Sequence, residues 1–276
     1  MNNYELGIVD TRNILKAIQE YYQYDFKNYA LTFFKRRLEY IIDKHILGSA
    51  DEFIKKIHQD ETFFHLFLQE ICIEITEMFR DPSVWRLLMD DFLVPAIQKA
   101  QSFKIWFPEV SSGEELYSLV ILLTELNLLN HVEIHASTIS QLRMDKVKQG
   151  IFDVSKMEIN EANFKRIFRD RELKDFITIR EDRGYLNNDL LKNVQFFVQN
   201  AIFDRVPAGL KLIIWRNHML YFNHALVEQM LKSLTSSLLP GGNLIIGLNE
   251  RIDYWNSNKD FILVGEKDSV YKKKFG

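Results

Sequence analysis

The chain is poor in the residues that staple or interrupt a fold. Cys72 is the single cysteine among 276 residues, so no intrachain disulfide can form and a reducing, cytoplasmic location is expected. Only 5 prolines and 11 glycines occur, which excludes collagen-like and low-complexity architectures. No strong charge of one sign is present: the net charge is -3, which gives no general electrostatic case for nucleic acid or an anionic membrane. Apolar runs are broken by charge well short of a membrane span, and Met1–Glu5 lacks the basic-then-apolar pattern of a leader. No phosphate-cradling G-x-x-x-x-G-K-[ST] is found. Seven histidines and one cysteine do not indicate a metal site, and Cys72 reads as a core position rather than a nucleophile.

What the chain does have is a change of texture near residue 80. Residues 10–75 carry helical periodicity without alternating strand patterns. Asp10 and Thr11 can cap a helix ending at Tyr22, and 29–45 forms a second with Leu31, Phe34, Leu38, Ile41 and Ile42 inward. Helices over 51–57 and 63–75 complete a small bundle, and a helix over 85–100 leads out of it. From Phe103 strands alternate with helices: strands 103–107, 132–136, 194–198, 210–215 and 243–247, helices 114–127 and 140–150. That alternation implies a parallel sheet with right-handed crossovers. The tail 261–271 reads as an antiparallel hairpin. The expected fold is α/β, with an all-helical N-terminal domain over 1–80 and a mostly parallel sheet domain over 81–276. The charged segment 155–193 fits neither pattern and is expected to be an inserted subdomain or a solvated loop.

In open parallel sheets, ligands sit at the carboxyl ends of the strands. The run Leu210–Ile214 ends on Trp215-Arg216-Asn217-His218-Met219-Leu220-Tyr221-Phe222, so a polar cluster lies where a ligand would. This stretch resembles the C-R-N-x-x-I-Y-F signature of the CheR-type methyltransferases. Other motifs follow in order. Thr76-Glu77-Met78-Phe79-Arg80-Asp81 is similar to T-x-F-F-R-[DE], and Val110 to Leu119 to C-S-T-G-E-E-P-Y-S-L. Asn200 matches the asparagine of an N-L pair, with Ala201 for the leucine. Leu239 to Leu244 resembles L-x-P-G-G-x-L, and Gly247 to Glu250 resembles G-x-S-E.

The resemblance implies a seven-stranded, Rossmann-like methyltransferase domain. It implies S-adenosylmethionine as cofactor, S-adenosylhomocysteine as product, and methylation of glutamates on the helical cytoplasmic region of a chemoreceptor or similar signalling protein. It places Thr76, Ser111, Gly113, Glu114, Glu115, Thr138, Asn200, Arg216 and Asn217 at the cofactor, with Arg80 orienting the acceptor and Tyr221 beside the methyl. Lys35, Arg36 and Arg37 would face the acidic partner or merely solvent. Three departures concern the cofactor. Thr138 stands where the family has a ribose-binding aspartate, which removes a charge-assisted contact of about 1–3 kcal/mol, up to about a hundredfold in affinity. Glu109 replaces a small residue in the first loop, where it would either crowd the cofactor and repel its carboxylate or face its amino group, and Glu74 replaces a neutral polar residue. The alternative reading is therefore a catalytically weakened or inactive relative that serves as a protein-binding scaffold.

Overall fold

A computed structural model describes residues 5–71, 76–255 and 260–275. Cys72 and Glu74 lie outside the described residues. The chain divides into two compact units, Met1–Ile73 with His218–Leu231, and Glu74–Asn217 with Lys232–Gly276. No helix among the described residues is long and apolar enough to cross a membrane.

The first unit is helical: α1 (Ile8–Tyr22), α2 (Leu31–Lys44), α3 (Ala50–Gln59) and α4 (Glu61–Ile71). α1 begins earlier than expected. Gly7 is its cap, and Asp10, in the first turn, reaches back to accept from the Gly7 N–H at 3.2 Å. Thr11 is buried, its hydroxyl donating to the Gly7 carbonyl at 2.9 Å. α2 buries Phe34, Leu38, Ile41 and Ile42, the expected stripe, while Leu31 stays half-buried. Phe26, Phe34, Phe53, Phe64 and Phe67 fill the space between the helices. The 218–231 segment, which the sequence reading kept with the sheet, joins this unit through Tyr221 and Phe222. The Ala30 N–H donates to the Tyr221 carbonyl at 2.8 Å, and Tyr29 packs edge-on against Phe222 at 5.0 Å.

The basic cluster is less available than its sequence suggests. Lys35 lies 3.4 Å from Glu39 and 3.5 Å from Glu5. Arg37 donates to the Glu70 carbonyl and stacks over Tyr40 at 5.0 Å. Only Arg36 of the three is exposed. The helical period turns Lys35 and Arg37 onto the flanks of α2, within reach of neighbouring segments, so the expectation of three solvated charges does not hold.

The second unit holds a seven-stranded sheet of order β6-β2-β1-β7-β8-β10-β9. Its strands are β1 (Phe103–Phe107), β2 (Val132–Thr138), β6 (Val194–Val198), β7 (Leu210–Ile214), β8 (Leu238–Ile245), β9 (Phe261–Gly265) and β10 (Val270–Lys273). β6, β2, β1, β7 and β8 run parallel, and β10 runs antiparallel to both neighbours. The 239–242 turn foreseen before the fifth strand is absorbed into it. Leu210 pairs with Leu238 and Leu212 with Asn243, so Leu239–Gly242 bulges out of the ladder, with Gly241 at φ +75°. The connection into the sheet is α5 (Pro82–Leu87), a π-helical stretch Leu88–Leu93, and α6 (Val94–Gln98). Pro95 cannot donate to the carbonyl four residues earlier, and the helix widens just ahead of it.

α7 (Glu114–Glu125) buries residues Leu116 to Leu123 on every side, where one apolar face was foreseen. α8 (Gln141–Lys148) follows β2, and α10 (His224–Ser237) precedes β8. Residues 151–186 form a second, three-stranded antiparallel sheet of order β3-β5-β4, from β3 (Ile151–Asp153), β4 (Ile177–Arg180) and β5 (Arg183–Leu186), with α9 (Met157–Lys165). His131 and His135 stand four apart, a spacing that would align ligands on a helix. β2 begins between them, and His135 instead bonds Glu133 at 2.7 Å.

Gly184 carries the small sheet. A Cβ there would lie 2.1 Å from the Phe152 ring, which is buried. Gly184→Ala should therefore destabilise the chain by about 1–3 kcal/mol, the usual range for overpacking. Thermal unfolding of the variant checks this; an unchanged midpoint would show that Phe152 moves aside freely.

Candidate functional site

The strand order reverses between β1 and β7, and a parallel sheet opens a crevice at such a point, outside the carboxyl ends of its strands. Three segments of the second unit converge there: the loop after β1 (108–113), the turn after β7 (215–217) and the stretch 76–81. Non-glycine residues in left-handed conformation cluster in them: Phe79 (φ 55°), Asp81 (φ 55°), Ser111 (φ 48°) and Asn217 (φ 63°). Such conformations cost energy and persist where the surroundings over-determine them, which is often at functional sites.

Arg216 is the centre. Its side chain is 1% exposed. One terminal nitrogen lies 2.7 Å from Glu115 Oε1 and donates to the Arg80 carbonyl at 3.3 Å; the other bonds Asp81. A guanidinium fork suits this task because it offers several donors in fixed directions. Burial raises the Glu115 carboxyl above its ordinary value, against the pull of Arg216 and of the nearby Arg80. Asp81 was visible only as the last letter of a motif. Its partnership with Arg216 links positions 135 residues apart and leaves no local signal in the sequence.

The 76–81 stretch is strapped down along its length. Lys156 Nζ donates to the Thr76 carbonyl at 2.9 Å. The Met78 N–H meets Asn160 Oδ1 at 2.9 Å, and the Phe79 N–H meets Ser118 Oγ at 2.7 Å. The Thr76 hydroxyl joins Ser112 Oγ at 3.0 Å, and both bond the Glu114 carboxylate. Burial raises the Glu114 carboxyl, opposed by those two hydroxyls.

At the β1 loop, Gly113 caps α7 with φ +101°. A Cβ there would stand 2.6 Å from the Tyr117 ring. Tyr117 is buried, donates to the Val147 carbonyl at 3.0 Å, and has its hydroxyl pushed well up by burial. Across the crevice Glu250, which the sequence reading noted only within a motif, fastens two turns. Its Oε2 accepts from the Asn217 N–H at 2.8 Å and the Gly247 N–H at 2.7 Å.

The remaining residues are placed as follows. Thr138 is fully buried at the end of β2. Glu109 retains some exposed surface, yet its carboxylate is enclosed: it accepts from the Ser111 N–H at 3.2 Å, and burial raises it against the pull of Arg143, the Thr138 hydroxyl and the Ile139 N–H. Asn200 turns its carboxamide oxygen onto the Ile202 N–H at 3.0 Å, closing its own turn. Tyr221 belongs to the first unit, where its ring lies 4.3 Å from that of Phe33.

Residues 74–270 match the family described as CheR methyltransferase, SAM binding domain. The chain belongs to the CheR methyltransferase family. It is 29% identical to the Cher3 protein of Pseudomonas putida over 96% of this chain and 97% of that one. It is 26% identical to a chemotaxis protein methyltransferase of Listeria innocua, over 83% of this chain and 84% of the relative. A chemotaxis protein methyltransferase of Vibrio parahaemolyticus is 28% identical over 64% of each chain. The CheR match covers the whole crevice, from Thr76 to Glu250.

Removing the central cation tests this arrangement. Arg216→Met leaves Glu115 and Asp81 facing a buried apolar side chain, at a cost of about 3–5 kcal/mol near neutral pH. The sign with pH follows from the raised Glu115 carboxyl. Losing Arg216 raises it further, so the folded variant holds a proton that the unfolded chain releases. The variant's deficit should shrink as pH falls towards the unfolded carboxyl range and grow as pH rises through the folded value. Chemical unfolding at pH 5 and pH 8 measures the difference. A deficit that does not change with pH would sink this account.

Proposed function

We propose that this chain transfers a methyl group from S-adenosylmethionine to glutamate side chains on the helical cytoplasmic region of a chemoreceptor or a similar signalling protein. The observation that carries the reading is the buried Asp81–Arg216–Glu115 network at the sheet's switch point, in a chain of the CheR family. The names of the Listeria and Vibrio relatives support a chemotaxis setting.

The donor set suits the cofactor. S-adenosylmethionine supplies a methyl group on a sulfonium, with an ammonium, a carboxylate and a ribose diol. Glu114 and Glu115 open α7 beside the β1 loop, where their carboxyl oxygens can accept from the cofactor's ammonium and hydroxyl donors. Gly113 lets the backbone of the β1 loop come close, and Ser111 and Asn217 turn that loop and its neighbour. Thr76 is held by the Ser112–Glu114 cluster. In this reading Arg216 and Asn217 fix the cofactor side, while Asn200 contributes its amide from a closed turn. Arg80 orients the acceptor carboxylate through its guanidinium, as a planar bidentate fork can. Methyl transfer is an in-line displacement, so orientation and exclusion of water supply most of the catalysis. Arg36 remains the exposed basic candidate for an acidic partner.

Thr138 favours a second reading, a relative that docks helices without methylating them. Two measurements separate the readings: calorimetric titration with S-adenosylhomocysteine, and transfer of labelled methyl to a receptor's cytoplasmic helical fragment. Binding with transfer is expected. Arg80→Ala should keep S-adenosylhomocysteine binding and lower transfer on the order of a hundredfold, the scale of a misoriented reactant. No binding at millimolar ligand would overturn the transferase reading in favour of the docking one.

A further inference from the structure

β2 ends on a residue that carries no charge, and yet a carboxylate stands at that end. In open parallel sheets that bind nucleotides, an acid beyond the second strand receives the ribose hydroxyls. Here that strand ends at Thr138. β1 and β2 are parallel neighbours, with Phe107 opposite Ala136, so positions 109 and 138 leave the sheet side by side. Glu109 takes advantage of that adjacency. Its carboxylate accepts from the Ser111 N–H at 3.2 Å, and the Thr138 hydroxyl and the Ile139 N–H beside it favour its ionised form. Thr138 ends β2, and Ile139 is the next residue in the same loop. An acid at position 138 would occupy the same neighbourhood. The charge has moved from the strand to the adjacent loop.

Resting on the S-adenosylmethionine reading above, we propose that Glu109 is the ribose-binding acid of this chain, with Thr138 as its positioning residue. A carboxylate has about four acceptor directions, more than the Ser111 N–H, the Thr138 hydroxyl and the Ile139 N–H can fill, which leaves one for a ribose hydroxyl. The Thr138 oxygen accepts from the Ser140 N–H at 3.5 Å and keeps a second lone pair for the ligand. Arg143 stands in the first turn of α8 and is itself buried. Its charge favours the ionised carboxylate and opposes the upward push of burial. The Ser111 N–H that grips Glu109 belongs to a residue held in left-handed conformation, so the loop's turn aims the carboxylate. Glu109 and Thr138, read from sequence as one intruder and one loss, are then two halves of one relocation.

The test compares S-adenosylhomocysteine with its 2′,3′-dideoxyribose analogue by calorimetry. The parent should prefer the ligand that carries the diol. Glu109→Gln should weaken S-adenosylhomocysteine about tenfold to a hundredfold and leave the analogue nearly unaffected. The double variant Glu109→Gln with Thr138→Asp should regain affinity for the diol, because the acid returns to the strand. Thr138→Asp alone sets two carboxylates together and should lower the melting temperature. Should Glu109→Gln fail to fold, Thr138→Val loosens the carboxylate and should lose a smaller factor, again only with the diol. Equal losses on both ligands would make Glu109 a structural strut and overturn the proposal, as would no loss at all. If the parent binds S-adenosylhomocysteine but does not distinguish the analogue, this proposal alone fails. If the parent does not bind S-adenosylhomocysteine, the cofactor reading fails and this proposal with it.

Discussion

One buried cation organises the sheet unit. Arg216 leaves the end of β7 and meets Asp81 from the stretch before α5, Glu115 from the start of α7, and the Arg80 carbonyl. A guanidinium that is 1% exposed cannot stay charged and unpaired, so those segments must arrive together. Their arrival fixes the floor of the crevice. It also explains why the 76–81 stretch, which has no regular structure, is held by side chains of α7 and α9 along its length. Ion pairs of this kind add little net stability compared with well-packed apolar groups. What they supply is a single permitted arrangement.

Three acids stand on the β1 loop and the start of α7. Glu109, Glu114 and Glu115 all have carboxyls raised by burial, and each is compensated differently: by Thr138, backbone N–H groups and Arg143; by two hydroxyls; and by two arginines. Three enclosed carboxylates on two adjacent segments are costly to a fold that does not use them. A ligand with fixed positive charge and hydroxyl donors would recover part of that cost. This is the physical ground for connecting the CheR match to the geometry rather than to the motif letters alone.

The chain's own chemistry also settles where insertions can be carried. The 151–186 segment stands between α8 and β6 as a small antiparallel sheet, closed by Phe152 against Gly184 and by Phe164, Phe168 and Phe176. Its Phe152, Phe164, Phe176 and Leu186 share one buried core with the apolar residues of α7. That is why α7 is apolar on all sides, although a helix lying on a sheet usually needs only one apolar face.

Periodicity alone determined the class of this protein: helices to about residue 75, then alternating strands and helices, then a hairpin. Those signals are local, with periods of 3.6 and 2 residues, and every strand of the large sheet was legible in them. The motifs at 110–119 and 215–222 determined which strand ends matter, because ligand chemistry at a parallel sheet concentrates there. Tertiary structure decided the rest. The pairing of Asp81 with Arg216, the clamp of Glu250 on Asn217, and the diversion of Lys35 and Arg37 into contacts within the chain depend on residues far apart in sequence. The meeting of Glu109 with Thr138 was equally hidden. Each was readable as a departure, but only the parallel register of β1 with β2 brings them to one place, since sequence separation carries no information about which strands become neighbours.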